Sequence, residues 1–164
     1  LRRRRLKISV IAVGNLREKF YQEACAEYLK RLKPMAALEM IEIPEENLSG
    51  EDSPALIRRA LDREGEKIIK RIPCRAAAVP LALAGRQLDS VAFAGELDPA
   101  KNLGRQQIVF IIGSSHGLSP QVYQRADWRL SFGPMTFPHQ LARLMLLEQI
   151  YRAEMILARR SYHK

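Results

Sequence analysis

The sequence predicts an α/β domain whose central sheet is mostly parallel and carries helices on both faces. Short β-rich runs alternate with helical patterns along the whole chain, which is typical of parallel strands joined by helical crossovers. Two of the runs, 76–84 and 108–112, are almost entirely apolar, as expected for strands that are covered on both faces. The chain has 164 residues, the size of one domain.

The first part of the chain predicts two strands and the helix between them. Residues 6–13 form an apolar run, and residues 38–43 form a run in which apolar residues partly alternate with glutamates. This partial alternation indicates that one face of the second strand meets water, which favours a position near the sheet edge. The helix is predicted over 17–32, where four apolar residues recur at every fourth position before Pro34. These four residues are Phe20, Ala24, Tyr28 and Leu32.

Capping signals and glycine-rich turns divide the rest of the chain. Ser53-Pro54 and Ser119-Pro120 each combine a capping hydroxyl with a proline in the first turn, as helix starts do. The run 108–112 ends abruptly at Gly113 and is predicted to be a central strand. Helices are predicted over 53–72, 89–98, from 119 onward and over 139–159, and strands over 76–84, 108–112 and 128–132.

The predicted helix 139–159 is apolar around much of its circumference. One stripe of six apolar residues is interrupted by Glu148, and three further apolar residues extend onto the neighbouring faces. A helix of this kind is expected to be buried against a partner as well as against its own sheet, so the pattern predicts a homodimer. The stripe is Leu141, Leu144, Met145, Tyr151, Met155 and Ile156, and the flanking residues are Leu146, Leu147 and Ile150.

The charge balance favours an anionic partner. The chain has 27 Lys and Arg against 18 Asp and Glu, a formal net charge of +9, and such an excess favours polyanions through counterion release. Four of these charges lie in Arg2–Arg5, within a predicted basic extension over 1–6. The charged face of the 53–72 helix is interpreted as a solvated surface, with an RNA-facing surface as the alternative.

The apolar segments favour a soluble, cytoplasmic protein. No stretch approaches the roughly 18 uninterrupted apolar residues that a membrane-spanning helix needs. The run 8–13 is short and has no small-residue cleavage site after it, so it is interpreted as a buried strand and not as a signal peptide. Cys25 and Cys74 lie far apart and outside any CxxC pair, and both are predicted to be reduced core residues.

Several kinds of site are excluded by missing motifs. The sequence contains neither GxGxxG nor GxxxxGK[ST], which argues against dinucleotide-binding Rossmann proteins and P-loop NTPases. It contains neither HExxH nor GxSxG, so hydrolase chemistry is poorly supported. No metal site is expected from His116, His139 and His163, because no further ligand pattern accompanies them. His139 is interpreted as a surface or structural residue, and His163 as either a frayed tail or a lid over a site.

Three loops are candidates for a ligand site. Residues 83–86, 113–117 and 133–138 each follow a predicted strand and are rich in glycine, proline or small residues. Ligands of open α/β sheets bind beyond the carboxyl ends of the strands, and small residues let the backbone approach a ligand closely. Taken singly, each loop is also explained by ordinary turn chemistry.

Several segments in order carry a resemblance to a known family. They lie at Leu81–Arg86, Val109–Leu118, Leu130–Phe132, Met135–Gln140, Glu148–Ala153 and Tyr162–Lys164, with Lys7–Gly14 at the start. Together they cover residues 7–164 and resemble the ribosomal RNA large subunit methyltransferase H family, the 23S rRNA pseudouridine N3-methyltransferases of the SPOUT superfamily.

The resemblance implies a fold and an activity. It implies a single SPOUT α/β domain over 7–164 with a trefoil knot within about 76–164, a homodimer, and S-adenosyl-L-methionine as cofactor. It also implies methylation of N3 of a pseudouridine in 23S rRNA within the assembled 70S ribosome. A SPOUT methyltransferase acting on another RNA such as tRNA, a non-catalytic ribosome-binding factor and a flavodoxin-like nucleotide-binding domain are the alternatives.

The resemblance also implies site residues. Two positions depart from the family pattern, because Ser114 stands where a second glycine is common and His116 where Asn or an acid is usual. Tyr162 and His163 are expected to act in catalysis from the tail, and Arg143 is expected to contribute to catalysis or, like Arg152, to contact rRNA. The implied cofactor residues are Leu81, Gly113, Phe132, Gly133, Pro134, Met135, Thr136 and Phe137.

Overall fold

The computed structural model describes residues 6–162, which form five strands and five helices in strict alternation. The strands are β1 (Lys7–Val13), β2 (Ala37–Ile43), β3 (Ala76–Gln87), β4 (Gln107–Ile112) and β5 (Leu130–Ser131). The helices are α1 (Lys19–Leu32), α2 (Pro54–Lys70), α3 (Ser90–Glu96), α4 (Pro120–Arg125) and α5 (His139–Leu157). Most of the predicted basic extension, and His163, lie outside the described residues.

The strands form one sheet with the order β2-β1-β4-β3-β5. The pairings among the described residues are all parallel, which confirms the predicted fold class. The predicted edge position of β2 and the predicted central position of β4 are both confirmed. Gln107 at the start of β4 is aligned with Lys7 of β1 and with Ala76 of β3. The carboxyl ends of these strands therefore lie at one edge of the sheet.

The sheet is covered on both faces, as the apolar strand sequences predict. Alternate residues of β1 and β4, such as Ile8 and Phe110, face a core shared with α1, α3 and α5. The residues between them, such as Ile11 and Ile111, face a second core shared with α2 and α4. Each fully buried side chain of this size contributes roughly 1.5–3 kcal/mol through the hydrophobic effect. Within residues 6–162, no helix combines the length and the apolar character that a bilayer-spanning segment requires.

Helix α1 buries the predicted face except at its first turn. Cys25 and Leu32 are buried, whereas Phe20, the first residue of the predicted stripe, is 62% exposed. The prediction is therefore wrong at Phe20. The spacing of apolar residues predicts the inward face of a helix, but tertiary packing decides how much of its length the core covers.

Two other details of the predicted architecture are corrected. Cys25 is buried as predicted, but Cys74 is exposed, because it lies in the turn that precedes β3 and not in an element of the core. The last strand is much shorter than the predicted 128–132, since β5 comprises only Leu130 and Ser131. Its neighbour β3 instead continues past the predicted end to Gln87.

Helix α5 packs on the sheet through residues flanking the predicted stripe. Leu146, Leu147 and Ile150 are completely buried, whereas Leu141, Leu144 and the other members of the stripe are only half-buried. The predicted stripe is therefore not the face that packs on the sheet. This leaves a partly open apolar surface along the helix.

Helix α2 makes a close contact at Gly65 that allows a direct test of the packing. A Cβ atom at Gly65 would overlap the Ser119 Oγ atom and lie 2.9 Å from the Gln121 Nε2 atom. We expect Gly65→Ala to lower the free energy of unfolding by about 1–3 kcal/mol, measured by denaturant titration. The matched control is Gly95→Ala in α3, where a Cβ atom would meet no atom within 4 Å. This control should be neutral or stabilise the protein by up to about 1 kcal/mol. Equal effects of the two substitutions would contradict the described packing of α2.

Candidate active site

The candidate site forms where the end of β3 and the short strand β5 cross. Leu130 is bridged to both Leu81 and Arg86, so residues 82–85 arch past it. The Arg86 N–H donates to the Arg129 carbonyl at 2.8 Å. A Cβ atom at Gly85 would lie 2.7 Å from the carbonyl carbon of Leu130, closer than real Cβ contacts, so only glycine permits this approach.

Ser131 fixes the direction of the chain after the crossing. Its hydroxyl donates to the Leu83 carbonyl at 3.0 Å and accepts from the Gly133 N–H at 3.1 Å. Gly133 has a φ of +113°, a conformation that favours glycine. This sharp turn leads into the loop 133–138 that precedes α5.

A cavity of about 910 Å³ opens beside this turn. One part of its wall is apolar and the other carries polar groups from the start of α3 and from α5. The apolar lining includes Phe93, Leu130, Phe132, Leu141, Leu144 and Met145, and the polar lining includes Asp89, Ser90, Glu148 and Gln149. A pocket of this size with a few convergent polar groups is suited to a small organic ligand.

The polar part of the wall is a connected network. The Ser90 hydroxyl donates to the Gln149 Oε1 atom at 2.8 Å, and the Gln149 Nε2 atom donates to the Glu148 Oε2 atom at 2.7 Å. The other Glu148 oxygen, Oε1, accepts from the Arg152 Nη2 atom at 2.7 Å and from the Tyr162 hydroxyl at 3.3 Å. Glu148 therefore joins the cavity wall to the C-terminal segment.

Tyr162 is held in place by three neighbours. Its ring packs edge-on against Tyr151 with 4.9 Å between centroids, and the Arg152 guanidinium lies 4.8 Å from its centroid. Burial and, to a smaller extent, contacts with Tyr28 and Glu148 raise the pKa of Tyr162 to about 12, although Arg152 opposes them. At neutral pH Tyr162 is therefore a neutral phenol that donates a hydrogen bond.

The turn after β4 is equally constrained. The Gly117 N–H donates to the Ser114 carbonyl at 2.9 Å, and a Cβ atom at Gly113 would overlap the Gly117 carbonyl. Ser114 is buried inside this turn, whereas His116 is exposed. His116 lines a second cavity, of about 560 Å³, together with residues of the loop that follows β2.

Comparison with known proteins places the chain in a family. The family described as predicted SPOUT methyltransferase matches residues 6–163. The chain belongs to the SPOUT methyltransferase family. A relative from Carboxydothermus hydrogenoformans, named Ribosomal RNA large subunit methyltransferase H, is 45% identical over 159 residues, which cover 97% of this chain and 100% of that protein. The crystal structure of a probable rRNA-methyltransferase from Porphyromonas gingivalis has the same fold, with a TM-score of 0.52 and 14% identity over 96% of this chain and 72% of that one.

The cofactor residues expected for this SPOUT methyltransferase lie around the crossing but not in one cavity. Of that set, Phe132 and Gly133 line the larger cavity. Leu81 is half-buried and packs against the core, and Gly113 lies in its own turn after β4. The remaining residues lie in the loop before α5, where Pro134, Met135 and Thr136 are exposed and Phe137 is half-buried. Met135 is the most open of these, at 71% exposed.

Arg143 has partners inside the protein. It is only 3% exposed, and its two terminal nitrogens donate to the Glu42 Oε2 atom at 2.9 Å and to the Gly14 carbonyl at 3.0 Å. It thus ties α5 to the ends of β1 and β2. This placement argues against the expected rRNA contact. Arg152, which is partly exposed beside the cavity, fits that expectation better.

Sequence reasoning missed the polar wall of the cavity. Glu148 gave one signal, because it interrupts the apolar stripe of α5. Gln149 lies with Glu148 in a segment that carries the family resemblance. Ser90 gave no signal, since its contact with Gln149 joins residues that are 59 positions apart and no local pattern reports it.

The ionisation of Tyr162 tests the described position of the C-terminal segment. We expect ultraviolet difference titration of the native protein against Tyr162→Phe to show a phenol that ionises near pH 12, not near the ordinary value of 10. Because the folded pKa is raised, the stability that this contact contributes is complete below pH 10 and is lost as the pH rises towards 12. The control is the same difference titration with both proteins unfolded in denaturant, which should show an ordinary tyrosine pKa near 10. A native difference curve centred near pH 10 would contradict the described contact.

Proposed function

We propose that this protein is an S-adenosyl-L-methionine-dependent methyltransferase that methylates N3 of a pseudouridine in 23S rRNA within the assembled ribosome. Membership of the SPOUT methyltransferase family supports the reaction type. The near full-length similarity to a protein named Ribosomal RNA large subunit methyltransferase H supports the substrate class, and the motif resemblance supports the target atom. The carrying observation is the cavity beside the β3–β5 crossing, whose lining includes Phe132 and Gly133 of the expected cofactor residues.

The residues around the crossing fit the proposed cofactor. A cavity of about 910 Å³ lies within the range of roughly 300–1,000 Å³ that small-ligand sites occupy. Its apolar wall, with Phe132 and Leu130, suits an adenine ring. Ser90 and Gln149 offer polar groups for a ribose or an amino-acid moiety. The backbone at Gly133 is accessible to a ligand, because no other atom lies within 4 Å of the position that a Cβ atom would take there.

The protein's contribution to the reaction is to position the reactants and to stabilise charge. When bound, the cofactor would supply the methyl group from a sulfonium, and the rest of the cofactor would leave as a neutral thioether. The N3 proton must leave, so a cationic neighbour that stabilises the developing anion lowers the barrier. We assign this role to Arg152, which Glu148 orients at the cavity wall. Tyr162 donates to the same carboxylate. His163, the next residue in the sequence, is the proposed proton acceptor.

We further propose that the active unit is a homodimer. The half-buried stripe of α5 and the exposed Phe20 and Val91 leave an apolar surface on the α1–α5 side of the molecule. A partner subunit on this side would cover the open part of the larger cavity. Its C-terminal segment would then reach the cofactor, so that the two subunits share a site.

The crossing also supports the proposed trefoil knot. Residues 82–85 arch past Leu130. The Ser131 hydroxyl donates to the Leu83 carbonyl within the arch, and the Arg86 N–H at its end donates to the Arg129 carbonyl. Threading of the segment that leads into α5 through this arch is the arrangement expected of the family. We propose it for the part of the chain over 76–164, within a single domain over 7–164 of a cytoplasmic protein.

The reaction is tested by incubating purified 70S ribosomes with the protein and the methyl donor, followed by mass spectrometry of 23S rRNA fragments. We expect one added methyl group on a pseudouridine, and we expect Gly133→Ala to reduce its formation at least tenfold because a side chain is strained at that φ. Gly104→Ala is the matched control, since Gly104 also has a positive φ, +83°, but precedes β4 at the opposite edge. Methylation of tRNA alone would refute the proposed substrate. The absence of any methylated RNA would refute the proposed reaction.

The homodimer is tested by the mass in solution, measured by light scattering. We expect the unsubstituted protein to have twice the mass of one chain. Leu141→Glu should shift it towards a monomer, because a carboxylate would be buried in the contact. The control is Leu56→Glu on α2, a leucine that is 45% exposed on the other face, which should leave the mass unchanged. A monomeric unsubstituted protein would contradict the dimer.

A further inference from the structure

The β5 edge of the sheet carries two arginine–aromatic pairs that the proposed reaction does not use. Strand β5 stands at the end of the sheet order. The Arg86 guanidinium lies 5.0 Å from the centroid of the Trp128 ring, and the Arg129 guanidinium lies 4.5 Å from that of Tyr123. Trp128 packs against the core shared with α1, α3 and α5, and Tyr123 against the core shared with α2 and α4. The two pairs therefore flank β5 on opposite faces of the sheet.

The segment that precedes β5 is fixed to β3. The Asp127 N–H donates to the Ala78 carbonyl at 2.9 Å, and the Ala78 N–H donates to the Asp127 Oδ2 atom at 2.8 Å. Two residues later, the Arg129 carbonyl accepts from the Arg86 N–H at 2.8 Å. Trp128 and Arg129 are thus held by contacts with β3 on both sides. Their positions are set before any partner arrives.

Positive charge exceeds negative charge beside Trp128. The Glu96 Oε1 atom accepts from the Arg86 Nη2 atom at 3.0 Å and from the Lys101 Nζ atom at 2.6 Å. One carboxylate therefore faces two cations. The side chains of Arg86 and Lys101 are 50% and 58% exposed, so both can also meet a partner from solvent. We call Arg86, Lys101, Tyr123, Trp128 and Arg129 the β5-edge surface.

Arg129 is the cation of this surface that is best placed to bind a phosphate. It is exposed, and the nearby Asp127 carboxylate is paired with Arg105 and Arg125 instead. Within residues 6–162, no carboxylate forms an ion pair with Arg129. Stacking on Tyr123 orients the planar guanidinium while its N–H groups stay available, and these groups match the geometry of a phosphate.

We propose that the β5-edge surface binds backbone phosphates of the rRNA strand next to the target nucleotide. The inference rests on the proposed function, because it concerns how the RNA substrate is held. Arg129 immediately precedes Leu130, which lines the larger cavity, so a strand on this surface lies beside the proposed cofactor site. Phosphate contacts fix the position of an RNA without reading its sequence. Guanidinium planes can in addition stack on unpaired bases.

The test measures the affinity of the fluorescently labelled protein for purified 70S ribosomes by anisotropy over a series of salt concentrations. We expect Arg129→Gln to bind about tenfold more weakly, the loss expected for one charge-assisted hydrogen bond. The slope of log Kd against log salt should become smaller by about 1. Lys101→Gln should act in the same direction on the other side of the edge. Arg129→Lys keeps the charge and should restore the salt slope.

Two further readouts separate RNA binding from a general effect on the fold. Calorimetric titration should show the same affinity for S-adenosyl-L-methionine in every variant. The methylation rate at saturating ribosomes should also be retained, so that the loss appears in KM and not in kcat.

The matched control is Arg59→Gln on α2. Arg59 is exposed and forms no ion pair in the described part of the chain, so its replacement removes the same charge from another surface. It should leave the affinity for ribosomes unchanged. A loss as large as that of Arg129→Gln would refute the β5-edge surface, because it would indicate binding through α2 or through net charge alone.

The outcomes separate this inference from the proposed function. If the unsubstituted protein methylates ribosomes and Arg129→Gln and Lys101→Gln bind them as tightly, the β5-edge surface is refuted while the proposed function stands. If binding depends on Arg129 and no methyl group is transferred, the surface is supported and the proposed reaction fails. If the unsubstituted protein neither binds nor methylates ribosomes, both are refuted.

Discussion

The close backbone crossing at Gly85 is the constraint on which the rest of the site depends. Only a residue without a Cβ atom allows β3 to pass so near the carbonyl of Leu130. That approach lets Ser131 bond to the Leu83 carbonyl and turn the chain at Gly133. The start of α5, and with it the polar wall of the cavity, follows from the direction set by this turn. A larger residue at the crossing would therefore move the site as a whole.

Helix α5 packs on the core and also carries residues of the candidate active site. Leu146 and Ile150 are completely buried against the sheet, which fixes the position and rotation of the helix. The neighbouring face is consequently held rigidly, and it carries Glu148 in the cavity wall with Arg152 bonded to it. Groups that are placed before the reaction need no reorganisation when charge develops, which is how electrostatic stabilisation becomes effective. Arg143 contributes to the same rigidity from inside the protein, by joining α5 to Glu42 and Gly14.

The sequence patterns predicted the architecture better than they predicted the site. The apolar run of β4 was sufficient to predict a central strand, and the partial alternation in β2 was sufficient to predict an edge strand. Burial on two faces or on one face produces each of these patterns within a few consecutive residues. The exposure of Phe20 in α1, the exposure of Cys74 and the length of β5 depend on contacts between distant segments, and no local pattern reports them. The motifs led to Phe132 and Gly133 at the cavity. Arg143, which was also expected at the site, lies outside these motifs, and its burial arises from contacts with Glu42 and Gly14 that only the folded chain reveals.

The most direct test of the account is a crystal structure of the protein with S-adenosyl-L-methionine bound. We expect the ligand beside the β3–β5 crossing, in contact with Phe132 and Gly133 and with its methyl group directed towards the side of the cavity that carries Glu148 and Arg152. A ligand bound at another surface, or a crossing that stays empty at saturating ligand, would contradict the account.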